Sequence, residues 1–384
     1  MSEEAVVQRP KSATGRPKTT LRSVDVEDLV LNYDPERPQQ RFMDAGVEAA
    51  FLGSADRLPQ EVPWPSSSRP IAEPLDPAPS ETDDLSRFRD YDAVVATWTA
   101  AEAAALAALF TPNYLPSAWY EYRHGIESYI PLVTGGRAPF NARSAEMARY
   151  YHSLGLYFPC RIGKAKVLLF KCGLHLDYDG PATPVRRLIG EIARMVSPKL
   201  FITTGTGGGI GADVALGDVL IAGRARFDCV TQFKSEPWRA NVYESARPPE
   251  AALRAISPAL TRVNAARIEG ARQVPRIWSG PEDTVVTTDF FGFDDTTDYY
   301  KLQGGGARIC DMGDAMVADA LKRRSQVKWF SIRNASDPQI ANPDHDIEAA
   351  KQKAGQIYAR YGAFTTAASV IATWAMIDSE CNAK

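Results

Sequence analysis

Apolar positions fall along the chain in two rhythms. Short unbroken runs, at Ala93-Val94-Val95-Ala96, 166–170, Leu200-Phe201-Ile202, Val219-Leu220-Ile221 and 327–332, have the length of buried strands. Residues 276–279, 284–287 and 308–310 are shorter strand candidates. Between them the period becomes helical: Val185, Leu188, Ile189, Ile192 and Met195 share one face, behind Thr183 as N-cap and Pro184 at the first helical position. An alanine-rich segment from residue 100 to 110 opens with Thr99 and Glu102 at capping-box spacing. Helical patterns also cover 249–272, 311–324 and 346–377. Strands alternating with helices over roughly 290 residues predict one α/β domain, residues 91–384.

Residues 1–90 differ. A basic start (Arg9, Lys11, Arg16, Lys18, Arg22) leads into proline-dense tracts that exclude helix interiors and central strands, which predicts an N-terminal extension, arm or strap. No apolar stretch follows the basic start, so a secretory leader is not expected. The apolar run at 363–377 is too short to span a bilayer and reads as a buried helix. A net charge of −3 gives no electrostatic reason to expect nucleic acid or membrane as partner. Five scattered cysteines without a C-x-x-C pair suit a reduced, cytoplasmic protein. His124, His152, His175 and His345 form no metal-ligand pattern, so no metal and no organic cofactor is expected.

The densest chemical signal is the glycine stretch after Leu200-Phe201-Ile202, where Gly205, Gly207, Gly208 and Gly209 read as a strand-end binding loop that lets the backbone approach a ligand. Gly207, Gly209 and Ala212 also fit a dinucleotide fingerprint, but that motif must open a helix. Here a Gly217-Asp218 turn and another strand follow, so the dinucleotide reading is set aside.

Taken together, the TTGTGGGI segment, the following G-D turn, the D-M-x-x-A helix start at 311–315 and the I-R-x-x-S-D strand end at 332–337 resemble the purine nucleoside phosphorylase and nucleosidase superfamily, nearest its methylthioadenosine/S-adenosylhomocysteine nucleosidase branch. The resemblance covers roughly residues 91–377 and implies a three-layer α/β fold with a mixed central sheet flanked by helices. It further implies a homo-oligomer that acts on a small-molecule nucleoside or nucleotide. Carried onto this chain, Gly205, Thr206, Gly207 and Gly208 would cradle sugar and nucleophile. Phe291 would stack on the base, Met312 would lie under the sugar, and Ser336 belongs to the strand-end motif of the site. Asp337 would protonate the purine, and Glu102 would activate water, with a plain cap as its simpler alternative.

Two positions depart from the family pattern in informative ways. Phosphorylases of the family carry an arginine where Thr203 stands, together with an early G-D-P-x-R segment absent here, which favours hydrolysis over phosphorolysis. The family's M-E, whose glutamate takes the ribose hydroxyls, is replaced by Met312-Gly313-Asp314; three outcomes follow, that a slipped helix start lets Asp314 serve, one position and ~100° late on a helix, that the substrate has a modified sugar, or that the domain does not catalyse. The expected activity is that of an N-glycoside hydrolase. Its alternatives are a phosphorylase using Arg186 or Arg187 as a phosphate clamp, and a non-catalytic nucleoside-binding protein. Lys234, Arg239 or Arg247 would meet a 5′-phosphate if the substrate is a nucleotide.

Overall fold

The structure, a computed structural model, describes residues 62, 64–133, 153–174, 184–230, 233–264, 272, 274–289, 304–311 and 313–382. Its strands are β1 (Pro70–Ala72), β2 (Ala93–Thr97), β3 (Tyr120–Tyr122), β4 (Gly155–Ile162), β5 (Ala165–Cys172), β6 (Leu200–Gly209), β7 (Val219–Ile221), β8 (Arg224–Asp228), β9 (Val242–Glu244), β10 (Ile277–Trp278), β11 (Thr284–Thr288), β12 (Ala307–Asp311) and β13 (Lys328–Asp337). The helices are α1 (Ala100–Phe110), α2 (Ile130–Val133), α3 (Pro184–Val196), α4 (Glu250–Asn264), α5 (Asp314–Leu321) and α6 (Ile347–Cys381).

All strands join one mixed sheet whose main path runs β1-β4-β5-β2-β6-β12-β11-β8-β9, with β13 paired to β6 and β7. Helices cover both faces, as expected for the three-layer fold. Val185, Leu188 and Ile189 of α3 and Ala315 and Val317 of α5 pack with Val94, Phe201 and Trp329 on one side. Leu106 of α1, Ile256 of α4 and Ile371 of α6 pack with Val95, Leu169, Ile202 and Ile332 on the other. Alternation along each strand decides which residue meets which layer.

Part of the proline-rich segment lies on this body as a strap. Trp64 packs on Trp374 with ring centroids 4.9 Å apart, the Trp374 indole donates to the Ser68 carbonyl at 2.8 Å, and β1 adds antiparallel to β4. Residues 1–61 are outside the described residues.

The strands expected from apolar runs form, and β5, β6 and β13 run well past their apolar cores. The glycine stretch is not a loop: β6 continues extended through Gly209. Its first half lies between β2 and β13, both parallel, while Gly208 and Gly209 pair antiparallel with Cys310 and Ile309 of β12. The exchange of partner from β2 to β12 is possible because side chains are missing where the neighbours close in. A Cβ on Gly207 would stand 2.3 Å from Ile309 Cγ2 and 2.5 Å from the Cys310 carbonyl oxygen. Strands β4 and β8 are additions. Pro159 inside β4 argues against a strand from sequence alone, and β8 carries arginines at alternate positions that mask its pattern. The helix expected to run from 249 is described only to Asn264, and Thr183, the expected cap of α3, is outside the described residues.

This close packing makes a sharp prediction. Gly207→Ala should lower unfolding stability by at least about 2 kcal/mol in denaturant titration, because backbone and a buried isoleucine must both move. A change below about 0.5 kcal/mol would contradict the packing described.

Candidate active site

Strands β2 and β6 run parallel in register from Ala93–Leu200 to Ala96–Thr203 and then part, β2 ending at Thr97 while β6 continues. A crevice at the carboxyl end of parallel strands, where neighbours diverge, is the usual ligand position in open α/β sheets. The first turn of α1 enters it. Thr99 and Glu102 form the expected capping box, with Thr99 Oγ1 accepting from Glu102 N at 3.2 Å and Glu102 Oε2 accepting from Thr99 N at 3.0 Å.

Glu102 does much more than cap. Its Oε2 also accepts from Thr97 Oγ1 at 2.7 Å and Trp98 N at 2.9 Å. Its Oε1 accepts from Thr206 N at 2.7 Å, from Thr206 Oγ1 at 2.9 Å and from Arg333 Nη1 at 3.3 Å. The two readings of Glu102 are therefore compatible: one oxygen closes the helix and the other faces the glycine strand. Gly205 must lack a side chain here, since its Cβ would lie 2.1 Å from Glu102 Oε1.

Arg333, buried in the middle of β13, gathers three carboxyl groups. Besides Glu102 it donates to Asp314 through Nε at 2.8 Å and Nη2 at 2.6 Å, and Nη2 lies 3.2 Å from Asp311 Oδ2. Asp314, fully buried, also accepts from Ser331 Oγ. Burial raises the Asp314 carboxyl, but Arg333, Ser331 and Thr203 prevail and hold it below the usual range. Asp311 moves the other way. Burial and then the Asp314 charge push it up to about 7, against Arg333 and Thr287. Its Oδ2 accepts from Gly313 N at 3.0 Å and Asp314 N at 2.8 Å, which closes the start of α5.

Asp337 ends β13 and stands opposite Gly208 in the β6 register. It is not the N-cap that the following Pro338 suggests, for it belongs to the strand. Ser336 Oγ donates to its Oδ1 at 2.7 Å and lies 3.2 Å from the Gly207 carbonyl oxygen. The other oxygen, Oδ2, is buried and has no hydrogen-bond partner among the described residues. Desolvation raises the Asp337 carboxyl to about 6, opposed only by the Ser336 hydrogen bond.

Of the residues singled out from sequence, Glu102, Gly205, Thr206, Gly207, Gly208, Ser336 and Asp337 thus meet along the upper half of β6. Asp314 points inward, but its carboxylate is held by Arg333 and Ser331. Phe291 and Met312 are outside the described residues. Where the family pattern has a glutamate, Gly313 leaves room that Trp98 takes. A Cβ on Gly313 would lie 3.1 Å from Trp98 Cζ2, and the indole is fixed by donation from Nε1 to the Leu174 carbonyl at 3.1 Å. Sequence reasoning assigned no role to Arg333, Trp98, Thr97 or Asp311. Arg333 stands inside the recognised I-R-x-x-S-D segment, which was the available signal.

The other basic candidates lie elsewhere in contact terms. Arg186 pairs with Asp319 at 3.1 Å and stacks on Trp238 at 4.4 Å, and Arg187 pairs with Glu191 at 2.9 Å and stacks on Tyr129 at 4.5 Å. Lys234, Arg239 and Arg247 are exposed. Among the described residues no group of three or more His, Cys, Asp or Glu could hold a metal ion, and no helix is long and apolar enough to cross a membrane.

A family model described as the phosphorylase superfamily matches residues 132–368. The chain belongs to the phosphorylase superfamily. Similar solved structures include the 5′-methylthioadenosine/S-adenosylhomocysteine nucleosidase of Neisseria meningitidis in complex with methylthio-immucillin-A, at 16% identity and TM-score 0.46, covering 75% of this chain and 99% of that one. The corresponding Helicobacter pylori nucleosidase with butyl-thio-DADMe-Immucillin-A gives 11% identity and TM-score 0.49, covering 76% and 99%. Futalosine hydrolase of Helicobacter pylori gives 11% identity and TM-score 0.48, covering 75% and 98%. A search of curated proteins returned no match. The superfamily match begins at residue 132, so β2 and Glu102 lie ahead of the matched segment and rest on the geometry above.

The state of Asp337 has a thermodynamic signature in this superfamily member. An acid whose folded pKa is raised from 3.8 to about 6 contributes stability that is fully present below its unfolded value and lost as pH rises through the folded one. Asp337→Asn removes that loss, so its melting temperature relative to the parent should be higher at pH 8 than at pH 4, by a difference equivalent to up to about 3 kcal/mol. A pH-independent offset would show that the Asp337 carboxyl is not desolvated.

Proposed function

We propose that this phosphorylase-superfamily protein hydrolyses the N-glycosidic bond of a purine nucleoside or nucleotide. The observation that carries the reading is the placement of two unlike carboxyl groups along one glycine strand. Glu102 is an acceptor on which six donors converge, whereas Asp337 is a desolvated acid with one unpartnered oxygen. Two carboxyl groups in opposite environments are what separate base and acid roles require.

In the proposed reaction a water held beside Glu102 Oε1 and Thr206 attacks C1′ as the C–N bond breaks. Glu102 accepts the proton released by the water. Asp337 gives its proton to a ring nitrogen of the departing purine, which leaves as the neutral base, and the sugar retains the new hydroxyl. Glu102 then releases the proton it took to solvent and Asp337 regains one from solvent, which a pKa of about 6 permits near neutral pH. Three carboxylates around the single Arg333 guanidinium leave the site electronegative, which favours an oxocarbenium-like transition state and disfavours a free anionic nucleophile. Gly205, Thr206, Gly207 and Gly208 would give the sugar access to the backbone, Phe291 would stack on the base and Met312 would lie under the sugar; Asp314, whose carboxylate Arg333 and Ser331 hold, would reach the sugar hydroxyls only by exchanging one of those partners.

The decisive measurement is base release from a purine nucleoside and nucleotide panel in phosphate-free buffer. Glu102→Gln and Asp337→Asn should each lower kcat by roughly 10²–10⁴. Because the acid must carry its proton, kcat/KM should fall about tenfold per unit above a pKa near 6, and this limb should vanish in Asp337→Asn. Turnover unchanged in both variants would remove these roles, and release that strictly needs phosphate would make the enzyme a phosphorylase.

A further inference from the structure

The end of β2 and the start of α5 meet beside Glu102, and what they bring there bears on the sugar. The Trp98 amide donates to Glu102 Oε2 at 2.9 Å, and the Arg333 guanidinium carbon lies 5.4 Å from the Trp98 ring. The six-membered ring of the indole occupies the space that a side chain on Gly313 would need, with Cζ2 and Cε2 at 3.1 and 3.2 Å from the position of a Cβ. Donation from Nε1 to the Leu174 carbonyl engages the single polar atom of the indole, so its remaining surface is hydrocarbon.

The acceptors in this corner are the three carboxyl groups around Arg333, and protein donors already occupy them. A carboxylate offers about four lone-pair positions. Glu102 takes six donors. Asp314 takes two from Arg333 and one each from Ser331 and Thr203. Asp311 takes the Thr287 hydroxyl and the amides of Gly313 and Asp314, with Arg333 Nη2 beside it. The carboxylate oxygen left without a partner, Asp337 Oδ2, stands farther along β6, opposite Gly208, where the base would depart. Among the described residues around Glu102, therefore, no carboxylate is spare for a vicinal diol, and an indole stands where such an acceptor could have been.

We propose that the site takes a sugar without the 2′,3′-diol, so that the substrate is a purine 2′-deoxynucleoside, and that Trp98 is the residue that sets this specificity. The assignment rests on the nucleosidase reading, which places C1′ at the water beside Glu102. C2′ is bonded to C1′, so its substituent meets the groups that ring Glu102, and Trp98 is the apolar one among them. A 2′-hydroxyl would lose its water and gain no acceptor there, whereas a 2′-methylene packs on the indole. An apolar wall discriminates against an added hydroxyl by up to about a hundredfold.

The test compares adenosine and inosine with their 2′-deoxy counterparts, by thermal unfolding of the full chain and by base release. It uses the parent, Trp98→Gln, and a double variant that combines Trp98→Ala with Gly313→Glu. The deoxynucleoside should stabilise the parent at concentrations about ten- to a hundredfold below the ribonucleoside, with KM divided in the same sense. Trp98→Gln, which puts an amide in place of the indole, should narrow that gap. The double variant, which supplies a carboxylate and the room for it, should close or reverse it. If the double variant does not fold, Trp98→Gln and the parent still decide. Equal or tighter binding of the ribonucleoside by the parent would overturn the proposal, as would a gap unchanged in the folded variants or stabilisation by none of the four nucleosides. A preference confined to kcat would also overturn it, because a glycosidic bond without the electron-withdrawing 2′-hydroxyl breaks more easily in any site. Tighter binding of the deoxynucleosides without base release from any probe would leave the sugar assignment standing and sink the hydrolase reading alone. Base release with a lower KM for the ribonucleosides would do the reverse.

Discussion

The guanidinium of Arg333 is the point on which the site is built. It is buried in the middle of β13 and holds Asp314 of α5 with two donors, Asp311 at the end of β12, and Glu102 of α1. No single element contains these groups. A buried ionic cluster of this kind contributes little net stability but is severe about geometry, since removing one partner of a buried pair typically costs about 3–5 kcal/mol. The four chain segments are thereby held in one arrangement, and the Glu102 oxygen that faces β6 is held with them.

The glycine strand is the other half of the same constraint. Gly205 admits the Glu102 carboxylate, and Gly207 admits Ile309 and the Cys310 carbonyl. Between them Thr206 offers Glu102 both its amide and its hydroxyl. Glycine is needed here because of close approach by neighbouring groups, and the ligand shares a backbone that the protein has already crowded. The partner exchange of β6 from β2 to β12 opens the crevice, and the missing side chains allow the exchange.

Much of this could be read from local pattern. The apolar runs located β2, β5, β6, β7, β11, β12 and β13, and the capping box at Thr99 placed the start of α1 and so the position of Glu102. Strand β4 was not legible, because Pro159 breaks the strand signal while its carbonyl still serves as acceptor for Glu73 N at 3.0 Å. The importance of Arg333 was also hidden, although its motif was recognised. Its partner Glu102 lies 231 positions away in sequence. Gly313 read as a loss; the structure shows the vacated space filled by Trp98, a residue from the other end of the domain.

By itself, the sequence determined an α/β layering, a glycine stretch that must be approached closely, and a set of carboxyl residues at strand and helix ends; that the stretch is strand and not loop came from its partners. Those properties follow from propensity, capping and side-chain periodicity, which act over a few residues. Tertiary structure alone decided which carboxyl group gathers donors from several elements and which is left with a buried oxygen that has no partner among the described residues, and that Asp314 faces Arg333. Charge, desolvation and hydrogen-bond satisfaction depend on neighbours brought together from distant strands, and no local pattern encodes them.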